Sequence, residues 1–376
     1  MCLVMKSCTH FHHGCAGCSG SHTVLHEATR FFSRIGVPGF TCVTGSRRGW
    51  RTRAKLAVRN QDGLAIGLFA RGTHTVISMP HCSAHHPSLN RALELLRLHF
   101  KGFSGYDEPS HQGLLRYVQP CVERRSGRVQ LTLVLTKRSD EVERIALALY
   151  ESDLSFWHSI WINIQPERTN TIFGLEWRRV CGPQFVWEEL CGIQIPFLPN
   201  HFGQANLEMF ERLLRDLCRL IPKKSHVVEL FAGMGVMSLV LRSHVSSMRA
   251  VEREPLAQEA FQEAKERLPY PLQKNLEFQV ADAMTSSDVL VGADTVIVDP
   301  PRKGLSLELI DTLCATKGLQ RLAYISCHFP SFERDAECLM KRGFTIDFAR
   351  SYLFFPGTDQ IETLALFVKK SLGERI

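Results

Sequence analysis

Three short stretches place a thiol, two carboxylates and a guanidinium at the ends of apolar segments. Cys327 closes Leu322-Ala323-Tyr324-Ile325-Ser326, which reads as a buried parallel strand. Asp299-Pro300-Pro301-Arg302-Lys303-Gly304 follows the apolar run Thr295 to Val298, and Gly357-Thr358-Asp359-Gln360-Ile361-Glu362 precedes the run Thr363 to Val368. Residues at the carboxyl ends of strands in an open α/β sheet face its ligand crevice. A strand-end cysteine on its own is most often a small buried hydrophobe. Here Asp299, Arg302 and Glu362 accompany Cys327, and the set suits nucleophilic attack by the thiol with a carboxylate to move a proton.

A second group of residues points to a cofactor. Glu229-Leu230-Phe231-Ala232-Gly233-Met234-Gly235 is a strand followed by a glycine turn at a helix start. Glycines let a ligand approach the backbone, and the helix N-terminus offers free N–H groups. The stretch lacks the third glycine of the dinucleotide fingerprint. Glu252 and Asp282 end the next two strands, where a carboxylate can hold a ribose diol. A nucleoside-type cofactor is therefore expected, with Phe231, Gly233, Glu252, Asp282 and Asp299 around it.

Two further groups lie near the N-terminus. Cys8, Cys15 and Cys18, with Cys82 as a distant fourth ligand, have spacing able to close a metal site. Zinc is one reading, since His10, His12, His13, His81, His85 and His86 lie close by in sequence. Arg51-Thr52-Arg53-Ala54-Lys55-Leu56-Ala57-Val58-Arg59 alternates, so Arg51, Arg53, Lys55 and Arg59 are expected on one strand face, with Trp50 beside them as a stacking surface. Of the net charge of +7, residues 1–60 hold nine Lys/Arg against Glu27, leaving the remainder near −1. A basic segment on a neutral body suits a polyanion, and a solvated face is the competing reading.

The elements that must position these groups fall into two blocks. To residue 198 the pattern is α+β and mostly strand-like: Lys55 to Val58, Gly63 to Phe69, Thr75 to Met79, Gln130 to Leu135 and Trp157 to Ile164, with helices at His22 to Ile35, Ser88 to Phe100 and Asp140 to Tyr150. From 199 onward strands alternate with helices, the mark of a doubly wound sheet. Pro196, Pro199 and Asn200 punctuate the boundary between 1–198 and 199–376. One of the early helices is expected to cross over and pack on the second sheet. No stretch approaches about 18 consecutive apolar residues, and Met1 to His10 has no secretory apolar region, so a cytoplasmic chain is expected. Thirteen cysteines, an odd number, then suggest reduced thiols, metal ligands or catalysis.

The glycine turn with its acidic strand ends resembles the Rossmann-like class I fold of S-adenosylmethionine-dependent methyltransferases. The motifs Phe202-Gly203-Gln204-Ala205-Asn206, Asp299 to Gly304, Ser326-Cys327 with Arg334-Asp335, and Ile361-Glu362 resemble the RNA uridine carbon-5 methyltransferase family over nearly the whole chain. The resemblance implies S-adenosyl-L-methionine as cofactor, with Gln204 among its contacts. It implies Cys327 as nucleophile, Glu362 as base and Arg302 at the RNA. Gly113-Leu114-Leu115-Arg116-Tyr117 resembles a second family motif, which adds Arg116 to the RNA contacts. A 4Fe–4S cluster on Cys8, Cys15, Cys18 and Cys82 is also implied, with zinc as the alternative. The family's frequent N-terminal TRAM barrel has no room before Cys8. Cluster-bearing members point to 23S ribosomal RNA as substrate; transfer RNA is the alternative, and a non-catalytic RNA-binding or assembly factor is the rival from another class. No obligate protein partner and no membrane contact are expected. Two departures stand out: Ser326-Cys327 continues His328-Phe329 where the family reads Asn-Pro, and Asp359 or Gln360 replaces a histidine.

Overall fold

The computed structural model describes residues 23–369, apart from Asp62, Arg71 and Ser286. In chain order, α1 (Thr23–Arg34) and β1 (Thr41–Val43) precede β2 (Leu56–Asn60), β3 (Leu64–Phe69), β4 (Val76–Ser78) and α2 (Pro87–His99). Next come β5 (Leu115–Val122), β6 (Val129–Leu135), α3 (Asp140–Ser152), β7 (Trp157–Ile164), β8 (Glu176–Cys181), β9 (Val186–Leu190) and β10 (Ile193–Phe197). The chain continues with α4 (Leu207–Leu220), β11 (His226–Leu230), α5 (Val236–Leu241), β12 (Ser247–Glu252), α6 (Leu256–Glu266), α7 (Tyr270–Gln273) and β13 (Leu276–Val280). It closes with β14 (Thr295–Val298), α8 (Leu307–Ala315), β15 (Arg321–Ser326), α9 (Phe329–Lys341), β16 (Phe344–Tyr352) and β17 (Glu362–Lys369). No described helix is long and apolar enough to cross a membrane.

An eight-stranded sheet runs β1-β16-β17-β15-β14-β11-β12-β13. Strands β11 to β15 pair in parallel, while β17 runs antiparallel between β15 and β16. Both faces are covered, which explains the continuous apolar runs in the sequence. Alternate residues serve opposite cores: Ala323 and Ile325 pack toward α4, α5 and α6, and Leu322 and Tyr324 toward α1, α8 and α9. The chain leaves β11 in one direction to β12 and β13, then returns to β14 on its other side. That reversal opens a crevice above the carboxyl ends of β11 and β14.

A seven-stranded sheet, β4-β3-β2-β5-β6-β7-β8, is antiparallel except between β6 and β7. Helices α2 and α3 cover one face through Leu89, Leu93, Leu96, Val142 and Ala146. The two sheets exchange chain. Residues 23–43, though early in sequence, lie on the eight-stranded sheet: β1 extends its edge beside β16, and Phe31 and Phe32 of α1 join its core. The β9–β10 hairpin also packs into that sheet's other core through Val186, Leu190, Ile195 and Phe197.

Candidate active site

The sheet register sets Cys327 and Glu362 side by side. Ser326 of β15 pairs with Thr363 of antiparallel β17, so the next residues outward, Cys327 and Glu362, face each other across the strand ends. Val298 of β14 pairs with Tyr324 of β15, which brings Asp299 to the same edge. Cys327 is half-buried and Glu362 buried. Burial, then the charges of Glu362 and Asp299, push the Cys327 thiol up to about 11, while Arg302 acts in the opposite direction. Glu362 is held well above the usual carboxylate range by burial and by Asp299, again opposed by Arg302. Burial raises Asp299 to about 7. The arrangement is a protonated thiol and an unusually basic carboxyl, with one exposed cation, Arg302, tuning both.

Two loops are locked together beneath these groups. Buried Asp335 accepts from Leu305 N at 2.7 Å and from Tyr324 Oη at 2.7 Å. Arg334 donates to Asp335 at 2.7 Å and to the Lys303 carbonyl at 2.7 Å. Gly304 makes this fit possible: its φ is +77°, and an added Cβ would lie 2.4 Å from Asp335 Oδ2. His328 Nδ1 meets Ser331 Oγ at 2.9 Å, and Ser331 Oγ donates to the Arg302 carbonyl at 2.7 Å. Arg334 and Asp335 therefore position the loop that carries Asp299 and Arg302, and His328 ties that loop to the cysteine's own turn.

Beside this edge lies a cavity of about 400 Å³, lined by Gln204, Glu229, Phe231, Gly233, Glu252 and Asp299 among others. The glycine turn is tight because Gly235, at φ +67°, packs under Phe261; a Cβ there would lie 2.6 Å from the ring. Glu252 accepts from Gly233 N at 3.0 Å, Arg253 N at 2.9 Å and Glu254 N at 3.1 Å, so it braces the turn as well as facing the cavity. Glu229 accepts from Ser238 N at 2.8 Å, but its Oε1 is buried with no partner among the described residues. Burial first, then Asp299 and Glu252, raise Glu229 to about 8. An orphaned carboxyl oxygen and a ring of acidic groups fit a ligand with positive charge, as a sulfonium cofactor with an ammonium group provides.

Several residues expected at ligands are placed elsewhere. Asp282 follows β13, is exposed, accepts from Met284 N at 2.9 Å and does not line the cavity. Its strand is at the sheet edge, two strands from the reversal. Trp50, Arg53 and Arg116 are buried, at 8%, 8% and 2% exposure, which corrects their assignment as RNA contacts. Trp50 packs edge-on against Phe355, 5.8 Å between centroids, under Arg51. Arg53 donates to the His201 carbonyl at 2.6 Å and to Cys121 Sγ at 3.4 Å. Arg116 donates to the carbonyls of Gln165, Glu167 and Thr169. Strand alternation assumed one solvated face, but both are covered where residues 199–205 cross the sheet, and these cations bind carbonyls instead. Lys55 and Arg302 remain exposed and Arg51 half-buried.

Cys8, Cys15 and Cys18 lie outside the described residues. Cys82 is buried in the segment before α2, its N–H donating to Asn90 Oδ1 at 3.1 Å and its carbonyl accepting from Asn90 Nδ2 at 3.0 Å. Among the described residues no group of three His, Cys, Asp or Glu side chains is arranged to hold a metal. The sequence carries no sign of the cavity's far wall, Phe173, Trp177 and His201, because these come from edge strand β8 and the loop before it in the other sheet and from the crossing segment. No local pattern marks them.

No protein-family model matches the sequence. An uncharacterized RNA methyltransferase of Protochlamydia amoebophila is 38% identical over 375 residues, covering 96% of this chain and 97% of the relative. One from a Nostoc species is 29% identical over 390 residues, covering 96% and 82%. Among solved structures, the Pyrococcus abyssi tRNA (uracil-54, C5)-methyltransferase in complex with S-adenosyl-L-homocysteine superposes with a TM-score of 0.75 at 22% identity, covering 92% of this chain and 82% of that one. That likeness shows a shared Rossmann-like methyltransferase fold.

Proposed function

Because the chain belongs to the RNA methyltransferase family of its 38%-identical relative, we propose that it methylates carbon 5 of a uridine in RNA, using Cys327 as nucleophile and Glu362 as base. The observation that carries this reading is the β15–β17 register, whose Ser326–Thr363 pair sets Cys327 and Glu362 one step further out at one edge, with Asp299 between that edge and the cavity it lines. Carbon 5 of uracil is a poor nucleophile. Cys327 first loses its proton to solvent, and addition of the resulting thiolate to carbon 6 turns the ring into an enolate whose carbon 5 can attack an electrophile. S-adenosylmethionine, when bound, supplies the methyl group in that form. Gln204, Phe231, Gly233 and Glu252 are placed to hold it, and Glu229 and Asp299 to face its positive charge. Glu362 then takes the carbon-5 proton, the ring double bond re-forms, and the Sγ–C6 bond breaks to release the thiolate. A carboxyl whose affinity for protons is raised by burial suits that step.

Ribosomal RNA, 23S in particular, is the target we favour on the family resemblance. Transfer RNA is the second reading, favoured by the substrate of the Pyrococcus abyssi tRNA (uracil-54, C5)-methyltransferase of the same fold. A non-catalytic RNA-binding role would need neither a thiol nor a raised carboxyl at one strand edge. The same proposal places a 4Fe–4S cluster on Cys8, Cys15, Cys18 and Cys82; the fixed, buried Cys82 suits a ligand, and zinc is the alternative. Iron content of anaerobically purified protein, lost in Cys82→Ser, tests the cluster; stoichiometric zinc without iron would replace it.

The catalytic assignment is tested with RNA carrying 5-fluorouridine, from which Glu362 cannot remove fluorine. Wild type should form a protein–RNA adduct that resists denaturation, and Cys327→Ala should form none and make no 5-methyluridine. Turnover by Cys327→Ala would sink the mechanism.

A further inference from the structure

Helices α3, α4 and α8 start alike. Ser139, Asn206 and Ser306, the residues before them, accept from the backbone N–H three places on, at Val142, Met209 and Leu309. Helix α9 departs from that pattern. His328 occupies its cap position, yet its side chain makes no cap bond to the backbone. The ring meets the hydroxyl of the residue three places on instead, Nδ1 to Ser331 Oγ at 2.9 Å. Counting hydrogens gives that contact its direction. A serine hydroxyl has one hydrogen, and Ser331 donates it to the Arg302 carbonyl at 2.7 Å. Oγ therefore accepts from His328, which places a hydrogen on Nδ1. The three residues form a directed chain, from imidazole N–H to hydroxyl to carbonyl.

That chain ends on the residue whose charge opposes Glu362 and Asp299 at the thiol. Helix α9 holds the 302–305 loop at three backbone atoms: the Arg302 carbonyl through Ser331, the Lys303 carbonyl through Arg334, and Leu305 N through Asp335. Arg334 and Asp335 brace each other, and His328 braces Ser331. The brace matters because a serine hydroxyl near a helix start can also turn to backbone carbonyls of its own helix. An N–H already bonded to Oγ leaves the hydroxyl hydrogen pointing at the loop. We propose that His328 is a positioning residue, which through Ser331 fixes the backbone of Arg302 and so holds its guanidinium near the Cys327 thiol. It touches no substrate in this role. The role rests on the proposed function, in which Cys327 is the nucleophile, and it gives a use to the histidine that stands where the family resemblance expects asparagine.

Alkylation of Cys327 by iodoacetamide reads the guanidinium's effect without any need for turnover. The rate is measured on the Cys327 peptide at about pH 7 and about pH 9, where only the thiolate reacts. The proteins compared are wild type, His328→Asn, Ser331→Ala, Arg302→Ala, and each of the first two substitutions combined with Arg302→Ala. Asparagine can cap α9 as Asn206 caps α4, so His328→Asn should melt no lower than wild type. It should nevertheless slow alkylation about three-fold, equivalent to about half a pKa unit on the thiol, and Ser331→Ala should do the same. The factor should be equal at the two pH values, since both lie below the thiol's pKa of about 11. In the Arg302→Ala background neither substitution should slow the reaction further. A merely structural role has the opposite sign, because loosening the turn would expose half-buried Cys327 and speed alkylation. Wild-type or faster alkylation in either folded variant overturns the proposal, as does slowing that persists undiminished without Arg302. Thermal melting establishes folding, and if one variant does not fold the other carries the same expectation. A protein that alkylates in this pattern but makes no 5-methyluridine would refute the catalytic reading and leave the positioning role standing.

Discussion

Cys327 in the free protein is a thiol, and its reactivity turns on which charges surround it. Burial, Glu362 and Asp299 all favour the protonated form, and Arg302 opposes them. Since only the thiolate is nucleophilic, the fraction available grows about ten-fold per pH unit below the pKa. Alkylation of Cys327 by iodoacetamide, followed on its own peptide by mass spectrometry, should therefore keep accelerating from pH 7 to about 10. Removing a positive neighbour raises a thiol's pKa further, so Arg302→Ala should slow alkylation at every pH in that window. A plateau near pH 8, or an Arg302→Ala variant that reacts faster, would show that the charges act otherwise. Arg302 likewise opposes the rise that burial and Asp299 impose on Glu362, and so favours the ionised form of that carboxyl.

Helix α9 begins two residues after Cys327, and the aromatic packing at its start explains the departure from Asn-Pro. Phe329 is 2% exposed and packs against Phe31 and Phe32 of α1, with ring centroids 5.9 Å and 6.1 Å away. Phe332 completes the group, and Phe40 stacks on Phe32 at 4.5 Å. The N-terminal helix thus buttresses the turn that presents the thiol, and a larger apolar residue at 329 fills the contact. Pro330, one place later than in the family pattern, still falls in the first turn, where its missing N–H is harmless. Phe32→Ala should cost about 3–5 kcal/mol of stability, the usual range for truncating a fully buried phenylalanine. Urea denaturation reads that cost. A loss below about 1 kcal/mol would mean that α1 is not integral to the eight-stranded sheet's core.

At the scale of the molecule, the basic N-terminal segment splits into internal clamps and exposed charge. Thr52 N bonds the Ala205 carbonyl at 2.9 Å, Arg53 the His201 carbonyl, and Gln119 the Pro199 carbonyl at 2.8 Å, fastening the crossing segment to the seven-stranded sheet. Arg59 is likewise enclosed, donating to the Arg116 carbonyl at 2.9 Å among Phe69, Tyr106 and Tyr117. Lys55 alone of Arg53, Lys55 and Arg59 is exposed. A cation that neutralises a phosphate contributes about one unit to the log–log salt slope of RNA binding. Lys55→Ala should therefore lower that slope by roughly one, whereas Arg53→Ala should leave it unchanged and lower the melting temperature instead. A slope change in Arg53→Ala with no loss of stability would restore it as a phosphate contact.

The placement of Asp299, Cys327 and Glu362 at one edge of the eight-stranded sheet was partly legible, because each is tied to a strand end. An apolar run followed by Cys327 or by Asp299 puts that residue at the carboxyl edge of a parallel sheet, whereas Glu362, which precedes its strand, reaches the same edge because β17 runs antiparallel to β15. Helices α2 and α3 and strands β3, β6 and β7 followed from periodicity for the same reason: a local pattern had a local cause. What tertiary structure alone decided is which faces are wet. Alternation told Arg53 from Ala54, but not that residues 199–205 would cover the arginine's side, and the motif around Arg116 carried no sign of the carbonyls at 165–169 that consume its charge. Asp282 ends a strand as Glu252 does, yet its strand is at the sheet edge, and strand order is a property of pairing between distant segments. Phe173, Trp177 and His201 were invisible for the same physical reason, because the cavity they share forms only where edge strand β8, its preceding loop and the crossing segment meet the other sheet's crevice.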